Sequence, residues 1–226
     1  MKTLINGLIF DLDGVIVDTA KYHYFAWKKL AKELNFAFDE NQNEALKGVS
    51  RMQALELLLN FGNIKASQEE KRLWANRKNR YYQQCLSNLS QNDLLPGVLT
   101  FLTKTKERKY KIALASSSKN AKTILYHLKI ENYFDFIADG NMVQESKPDP
   151  EIFLLASDGI KCPPNACLVF EDALSGIQAA KSAGMLVIGV GNSKVLSTAD
   201  LVISSFDNFN LTEAEAYFNN DSSVSG

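Results

Sequence analysis

Apolar residues along the chain follow two periods, and the change from one to the other divides the sequence. Leu4 to Phe10 is a short, nearly unbroken apolar run, the pattern of a strand covered on both faces. The next third of the chain repeats its apolar positions at helical spacing. Tyr22 to Leu34 reads as an amphipathic helix, Arg51 to Phe61 as a second with a dense leucine face, and Gln68 to Leu89 as one or two more. Beyond Leu94-Leu95-Pro96-Gly97 the pattern alternates. It predicts helix Val98 to Lys109, strand Lys111 to Ala115, helix Lys119 to Leu128 and a short strand Phe136 to Ala138. Helix Pro150 to Asp158, strand Ala166 to Phe170, helix Ala173 to Ala183 and strand Met185 to Val190 follow, with a last short strand at Leu201 to Ile203.

Strands rich in β-branched residues that alternate with helices predict an α/β fold, a Rossmann-like parallel sheet core with helices on both faces. The first strand belongs with the later ones by composition, so the helical segment between them is expected to be an inserted α-helical cap domain. Residues 1–17 and 93–226 then form the catalytic core and residues 18–92 the cap. Thr19 to Lys21 and Asp93 to Gly97 are the paired linkers, a natural hinge. The final stretch from Asn219 to Gly226 is polar and predicts no regular structure.

Composition narrows the function classes. With 226 residues and 46% hydrophobic content the chain can bury a full core, and a formal net charge of −1 provides no broad attraction to nucleic acid or an anionic membrane. Three cysteines (Cys85, Cys162, Cys167) form neither a disulfide framework nor a metal-type pair, which predicts reduced thiols and a cytoplasmic protein. The N-terminus enters its first strand without a basic, apolar leader, and no stretch is long enough to span a bilayer.

In an open parallel sheet, ligands bind beyond the carboxyl ends of the strands, and four such places carry chemistry here. The first strand ends in Asp11 and Asp13, whose side chains point the same way if the strand continues, followed by Gly14 at the turn. The strand Lys111 to Ala115 leads into Ser116-Ser117-Ser118-Lys119-Asn120, whose hydroxyls and free amides suit a phosphate. Lys147 lies in a loop stiffened by Pro148 and Pro150. Glu171 and Asp172 open the helix after the strand that ends at Phe170. Each feature alone has an ordinary reading as a turn, a cap or a solvated charge. Together they make a site with both charge signs. Mg²⁺, a hard ion served by carboxylates, water and phosphate, fits this inventory better than zinc. Asp11 is then placed to attack phosphorus and become an aspartyl-phosphate, with Asp13 as acid and base for the leaving and entering oxygens.

These four places, in their order and positions, resemble the motifs of the haloacid dehalogenase-like phosphotransferase superfamily over nearly the whole chain. The resemblance implies that Asp11 is the nucleophile, Asp13 the general acid/base, and Ser116 and Lys147 the phosphate-site residues. It implies Mg²⁺ ligands from Asp11, Asp172 and the Asp13 main-chain carbonyl, with Glu171 as a further candidate. The presence of Asp13 sets the chain apart from the haloalkanoate-hydrolysing branch.

Within the superfamily the cap resembles that of a hexose-phosphate mutase branch. Asp18-Thr19-Ala20-Lys21-Tyr22-His23 with Ala26-Trp27 is similar to its hinge and first cap helix, with Thr19 as the hinge position and His23 coupling closure to the site. Leu46-Lys47-Gly48-Val49-Ser50-Arg51 is similar to its substrate-specificity loop, and Lys78 to a cap lysine that faces the substrate. The Ser116 to Asn120 segment is similar to its phosphate-binding stretch, with Ser117 where alanine is usual. The implied reaction interconverts β-glucose 1-phosphate and glucose 6-phosphate, with glucose 1,6-bisphosphate as activator and intermediate. The implied protein is a monomer acting on a hexose phosphate, without nucleic acid or membrane partners. A bisphosphate needs a second anion site a sugar's length from the nucleophile, and Arg51, Ser118, Lys119 and Asn120 are its candidates. Two alternatives share these motifs: a Mg²⁺-dependent sugar-phosphate phosphatase, and a sugar-phosphate-binding regulator without catalysis. His127 reads as structural.

Overall fold

The computed structural model describes residues 4–46 and 49–221. Strand β1 (Gly7–Phe10) is followed by four helices, α1 (Ala20–Glu33), α2 (Glu40–Glu44), α3 (Arg51–Phe61) and α4 (Gln68–Leu86). The alternating part then runs α5 (Val98–Glu107), β2 (Lys111–Ala115), α6 (Ala121–Leu128), β3 (Phe136–Ala138) and α7 (Glu151–Gly159). It continues through β4 (Cys167–Glu171), α8 (Leu174–Ser182), β5 (Leu186–Val190), β6 (Leu201–Ile203) and α9 (Leu211–Asp221). The strands form one parallel sheet in the order β3-β2-β1-β4-β5-β6. The expected α/β architecture is therefore the observed one, with β1 in the middle beside β2 and β4.

Side-chain alternation divides the apolar strands between two layers. Leu8 and Phe10 of β1, with Ile112, Leu114, Leu168 and Phe170, face the layer of α5, α6 and α9. Ile9, Ala113, Val169 and Val187 face the layer of α7 and α8. Burial on both faces explains why these strands are continuous apolar runs. Phe10 and Phe170, aligned across the β1–β4 register, stack with ring centroids 4.8 Å apart, and Phe101 and Phe206 close around them. Such aromatic pairing fixes the neighbouring strand ends that carry the chemistry.

The helical segment has a hydrophobic cluster of its own, built from Trp27, Leu30, Leu55, Leu58 and Leu59. The ends of α1 and α4 nearer the sheet instead pack into the sheet-side cluster through Ala26, Tyr82 and Leu86. Capping boxes at Ser50 and Ser67 start α3 and α4, each serine accepting from the main chain three residues on.

Two α-helices depart from expectation. A capping box at Asp39 nucleates the short α2, which the apolar pattern did not mark because its residues are polar throughout. The C-terminal stretch is helical through Asp221, so Asn219–Asp221 extend α9 instead of lacking regular structure. Leu211, Ala214 and Phe218 supply the buried stripe that holds this helix to the sheet. Three single-turn 3-10 helices, Gln91–Asp93, Glu131–Tyr133 and Pro164–Ala166, were also not expected, and the other differences are terminal, as where β1 begins at Gly7 and α4 ends at Leu86. No helix among the described residues is long and apolar enough to cross a membrane.

Candidate active site

Parallel register brings the chemistry together. Phe10 is paired with Leu114 on one side and Phe170 on the other, so the next residues, Asp11, Ala115 and Glu171, emerge side by side. Lys147, from the loop after β3, reaches across all three strand ends. Its Nζ donates to Asp11 Oδ1 at 2.5 Å, Glu171 Oε2 at 2.8 Å and the Ala115 carbonyl at 3.1 Å, beneath the Phe153 ring. Its side chain is 6% exposed. Burial alone would lower the lysine's pKa, but Asp11 and Glu171 reverse that and raise it, so the ammonium stays charged.

Asp11, Glu171 and Asp172 each present a carboxylate oxygen, all within 4.8 Å of one another. Burial, then the charge of Asp11 and then that of Glu171, raises Asp172; burial likewise raises Glu171 against the pull of Lys147. A divalent cation relieves both effects, and an all-oxygen donor set suits a hard ion such as Mg²⁺. Two glycines leave room for these acids. A Cβ on Gly14, whose φ is +85°, would lie 1.9 Å from Asp172 Oδ2, and one on Gly176 would lie 2.0 Å from the Glu171 carboxyl carbon.

Asp13 takes a different direction. It stands outside the three-carboxylate group and accepts a hydrogen bond from the Thr19 hydroxyl at the start of α1. Burial, reinforced by Asp11, pushes its pKa up to about 6 against the opposing pull of Thr19, Lys147 and Lys78. Near neutrality such a group can give or take a proton, as an acid/base must.

On the helical side Lys78 is 2% exposed, a lysine within the buried stripe Ala75, Lys78, Tyr82 and Leu86 of α4. Its ammonium lies 4.5 Å from the Trp27 ring centroid and 2.8 Å from His23 Nδ1. Burial and then the Arg51 charge pull the Lys78 pKa down to about 7, while burial, Lys78 and Arg51 together hold His23 well below its ordinary value. Among the described residues no carboxylate pairs with Lys78 or Arg51. A buried, unpaired cation of this kind costs several kcal/mol, a cost that an arriving anion removes.

The remaining sequence candidates divide. Ser116 is buried and its Oγ accepts from the Ser118 N–H, while the N–H groups of Ser117 and Lys119 have no protein acceptor among the described residues. That leaves two free donors in the loop after β2, the strand paired with β1. Ser50 serves as the cap of α3, Val49 is 40% exposed beside it, and Lys47 and Gly48 lie outside the described residues. Asn120 is engaged by α4, its amide bonded to Asn79 and Gln83. Tyr82, whose ring lies 4.1 Å from that of His23, was not singled out from sequence; a lysine and a tyrosine interrupting an apolar helical stripe are the signal that marks it.

A parallel sheet carrying an aspartate pair, an anion loop, a bridging lysine and a second acidic pair at successive strand ends agrees with the family match. The chain belongs to the haloacid dehalogenase-like hydrolase family, whose model matches residues 8–190. It is 46% identical to the β-phosphoglucomutase of Bacillus subtilis over 201 residues, 88% of this chain and 89% of that one. The crystal structure of β-phosphoglucomutase from Clostridium difficile matches with a TM-score of 0.90 at 45% identity, covering 96% of this chain and 98% of that chain. A phosphorylated carbohydrates phosphatase of Thermotoga maritima is 34% identical over 185 residues, 80% of this chain and 82% of that one.

Proposed function

We propose that this protein is a β-phosphoglucomutase, interconverting β-D-glucose 1-phosphate and glucose 6-phosphate through an aspartyl-phosphate and a β-glucose 1,6-bisphosphate intermediate. The observation that carries the reading is a second cationic position, separate from the one at the strand ends. Lys147 with the Ser116 loop serves one phosphate, and Lys78, His23 and Arg51, which have no carboxylate partner among the described residues, suit another. Hydrolysis of a monoester requires only the first. The similarity to β-phosphoglucomutases over almost the full chain supports the same reading.

The chemistry follows from the hydrogen bonds. Lys147 holds Asp11 Oδ1, which leaves the other oxygen as the nucleophile. As the Asp11–phosphorus bond forms, the bond from phosphorus to the sugar oxygen breaks, and that oxygen takes a proton from Asp13. When the group leaves C1 of the bisphosphate, that half releases glucose 6-phosphate; in the other half the free 6-hydroxyl of a glucose 1-phosphate gives its proton to Asp13 and attacks the aspartyl-phosphate, regenerating Asp11 and the bisphosphate. Thr19 fixes the direction of the Asp13 carboxyl in both halves. Mg²⁺ held by Asp11, Asp172 and the Asp13 carbonyl, with Glu171 alongside, would neutralise the transferring phosphoryl group.

Residues 18–92 act as the cap and residues 1–17 with 93–226 as the core. Asp93 ties the two linkers by accepting from Lys21 at 3.0 Å and from the Tyr22 hydroxyl at 3.2 Å. Closure of the cap expels water, which a mutase needs to keep its phosphoryl group from hydrolysis. The protein works as a cytoplasmic monomer.

The test is phosphorus NMR of the purified protein with Mg²⁺, β-glucose 1-phosphate and a trace of glucose 1,6-bisphosphate. Glucose 6-phosphate without matching phosphate release is expected. Dominant release of phosphate would overturn the mutase in favour of a phosphatase, the activity named for the Thermotoga maritima relative.

A further inference from the structure

Asn120 closes the serine loop and stands at the N-cap of α6, yet its side chain does not cap that helix. It is 6% exposed, and its amide is gripped from the helical side at both ends. Gln83 Nε2 donates to Asn120 Oδ1 at 3.1 Å, and Asn120 Nδ2 donates to Asn79 Oδ1 at 3.1 Å. Asn79 and Gln83 stand four residues apart on α4, one helical turn, so both amides share a face. Three amides bonded head to tail have a direction: each fixes which end of the next is oxygen and which is nitrogen.

The relay continues into the anion loop. The Asn120 N–H donates to Ser118 Oγ at 3.2 Å, and the Ser118 N–H to Ser116 Oγ at 3.1 Å. Hydrogen bonds therefore link α4, through Asn120 and then Ser118, residue by residue to the buried Ser116 in the loop after β2. Asn79 directly follows Lys78, so the helical turn that presents the cap cation also holds the loop. Gln83 is otherwise a surface residue, and its amide has this single described partner.

We infer that Gln83 is a positioning residue for phosphoryl transfer. Together with Asn79 it orients the Asn120 amide from the cap, so that the anion loop reaches its binding geometry only when α4 is seated on it. The inference rests on the mutase reading in taking Ser116 to Asn120 as the loop that receives a sugar phosphate. It assigns Gln83 no contact with the substrate. A neutral hydrogen bond of this kind contributes about 1 kcal/mol net, which sets the effect at about fivefold.

The experiment is a double-mutant cycle on Gln83→Met and Asn120→Ala. Methionine keeps the length and helix propensity of glutamine without the donor, and position 83 is exposed, so folding is retained. With glucose 1-phosphate as substrate, Gln83→Met is expected to raise KM by about fivefold with little change in kcat. The same substitution in the Asn120→Ala background is expected to change nothing further. Effects that multiply across the two sites, or an unchanged KM in the single variant, would overturn the assignment. Failure of the mutase reading is seen separately, as release of phosphate by the wild-type protein, and the cycle is then read on the KM of that release. Amide hydrogen exchange of the ligand-free proteins adds a readout that needs no turnover. Faster exchange of the Ser118 and Asn120 amides is expected in Gln83→Met, and unchanged exchange would likewise overturn the relay.

Discussion

At the scale of single residues, the site depends on carboxylates whose crowding would be intolerable without Lys147 and a cation, and on glycines that leave room for them. Asp11 is the carboxylate that Lys147 aims. Asp11→Asn keeps the shape but offers an amide that cannot form an acyl phosphate, so steady-state turnover is expected to fall by more than about a thousandfold. Near-normal rates would remove Asp11 from its role. Gly14 tests the cradle. Alanine there meets Asp172 Oδ2 at 1.9 Å and occupies a φ of +85°. Gly14→Ala is expected to lose about 1–2 kcal/mol of stability from the backbone alone and to weaken Mg²⁺ binding by about tenfold or more. Calorimetric titration of the metal, alongside a denaturant melt, separates the two effects.

At the scale of elements, two cap cations sit where their helices gain little from them. Arg51 is the first residue of α3, where the helix dipole disfavours a cation, and no described carboxylate pairs with it. Lys78 occupies the buried stripe of α4, where an apolar residue would be the stable choice. Such placements are explained by a ligand. Arg51→Ala is therefore expected to leave the unfolding free energy within about 0.5 kcal/mol of wild type while weakening glucose 1,6-bisphosphate binding by about tenfold to a hundredfold. Inorganic phosphate, which needs only the strand-end position, is expected to bind almost unchanged. Equal losses for both ligands would dissolve the second anion position. The apolar periods located β2, α3, β3 and β6 at their observed limits because their ends coincide with a change from apolar to turn or cap residues. They passed over α2, whose stability is in its capping box, and α9, whose buried stripe is short, made of Leu211, Ala214 and Phe218.

At the scale of the whole molecule, the acidic end of the sheet couples metal, pH and stability. Burial and the charge of Asp11 raise both Glu171 and Asp172 in the metal-free protein, and Glu171 raises Asp172 further. A carboxyl raised on folding contributes its stability below its unfolded value, and loses it as pH rises through the folded one. The metal-free protein is therefore expected to lose stability from these groups between mildly acidic and mildly alkaline pH. Cation binding requires the ionised form, so the rise in Tm on adding Mg²⁺ is expected to be larger at pH 8 than at pH 6. At a hundredfold excess over Kd the stabilisation amounts to about 2.7 kcal/mol. Melting curves at both pH values, with Mg²⁺ or with chelator, measure it; a larger gain at pH 6 would contradict the assignment of the cluster. The sequence by itself determined the layered α/β fold and the residues at the strand ends, because a strand's alternation and the turn chemistry after it are local. Asp11, Asp13, Ser116, Lys147, Glu171 and Asp172 were all legible on that ground. Only the tertiary structure decided that Lys147 bridges Asp11, Ala115 and Glu171, which depends on the register of three strands. It likewise decided that Lys78 lies buried against Trp27 and His23, and that Asn79 and Gln83 take hold of Asn120. These partners are 37 to 55 residues apart in the chain, and at that separation only packing, not local pattern, chooses which side chains meet.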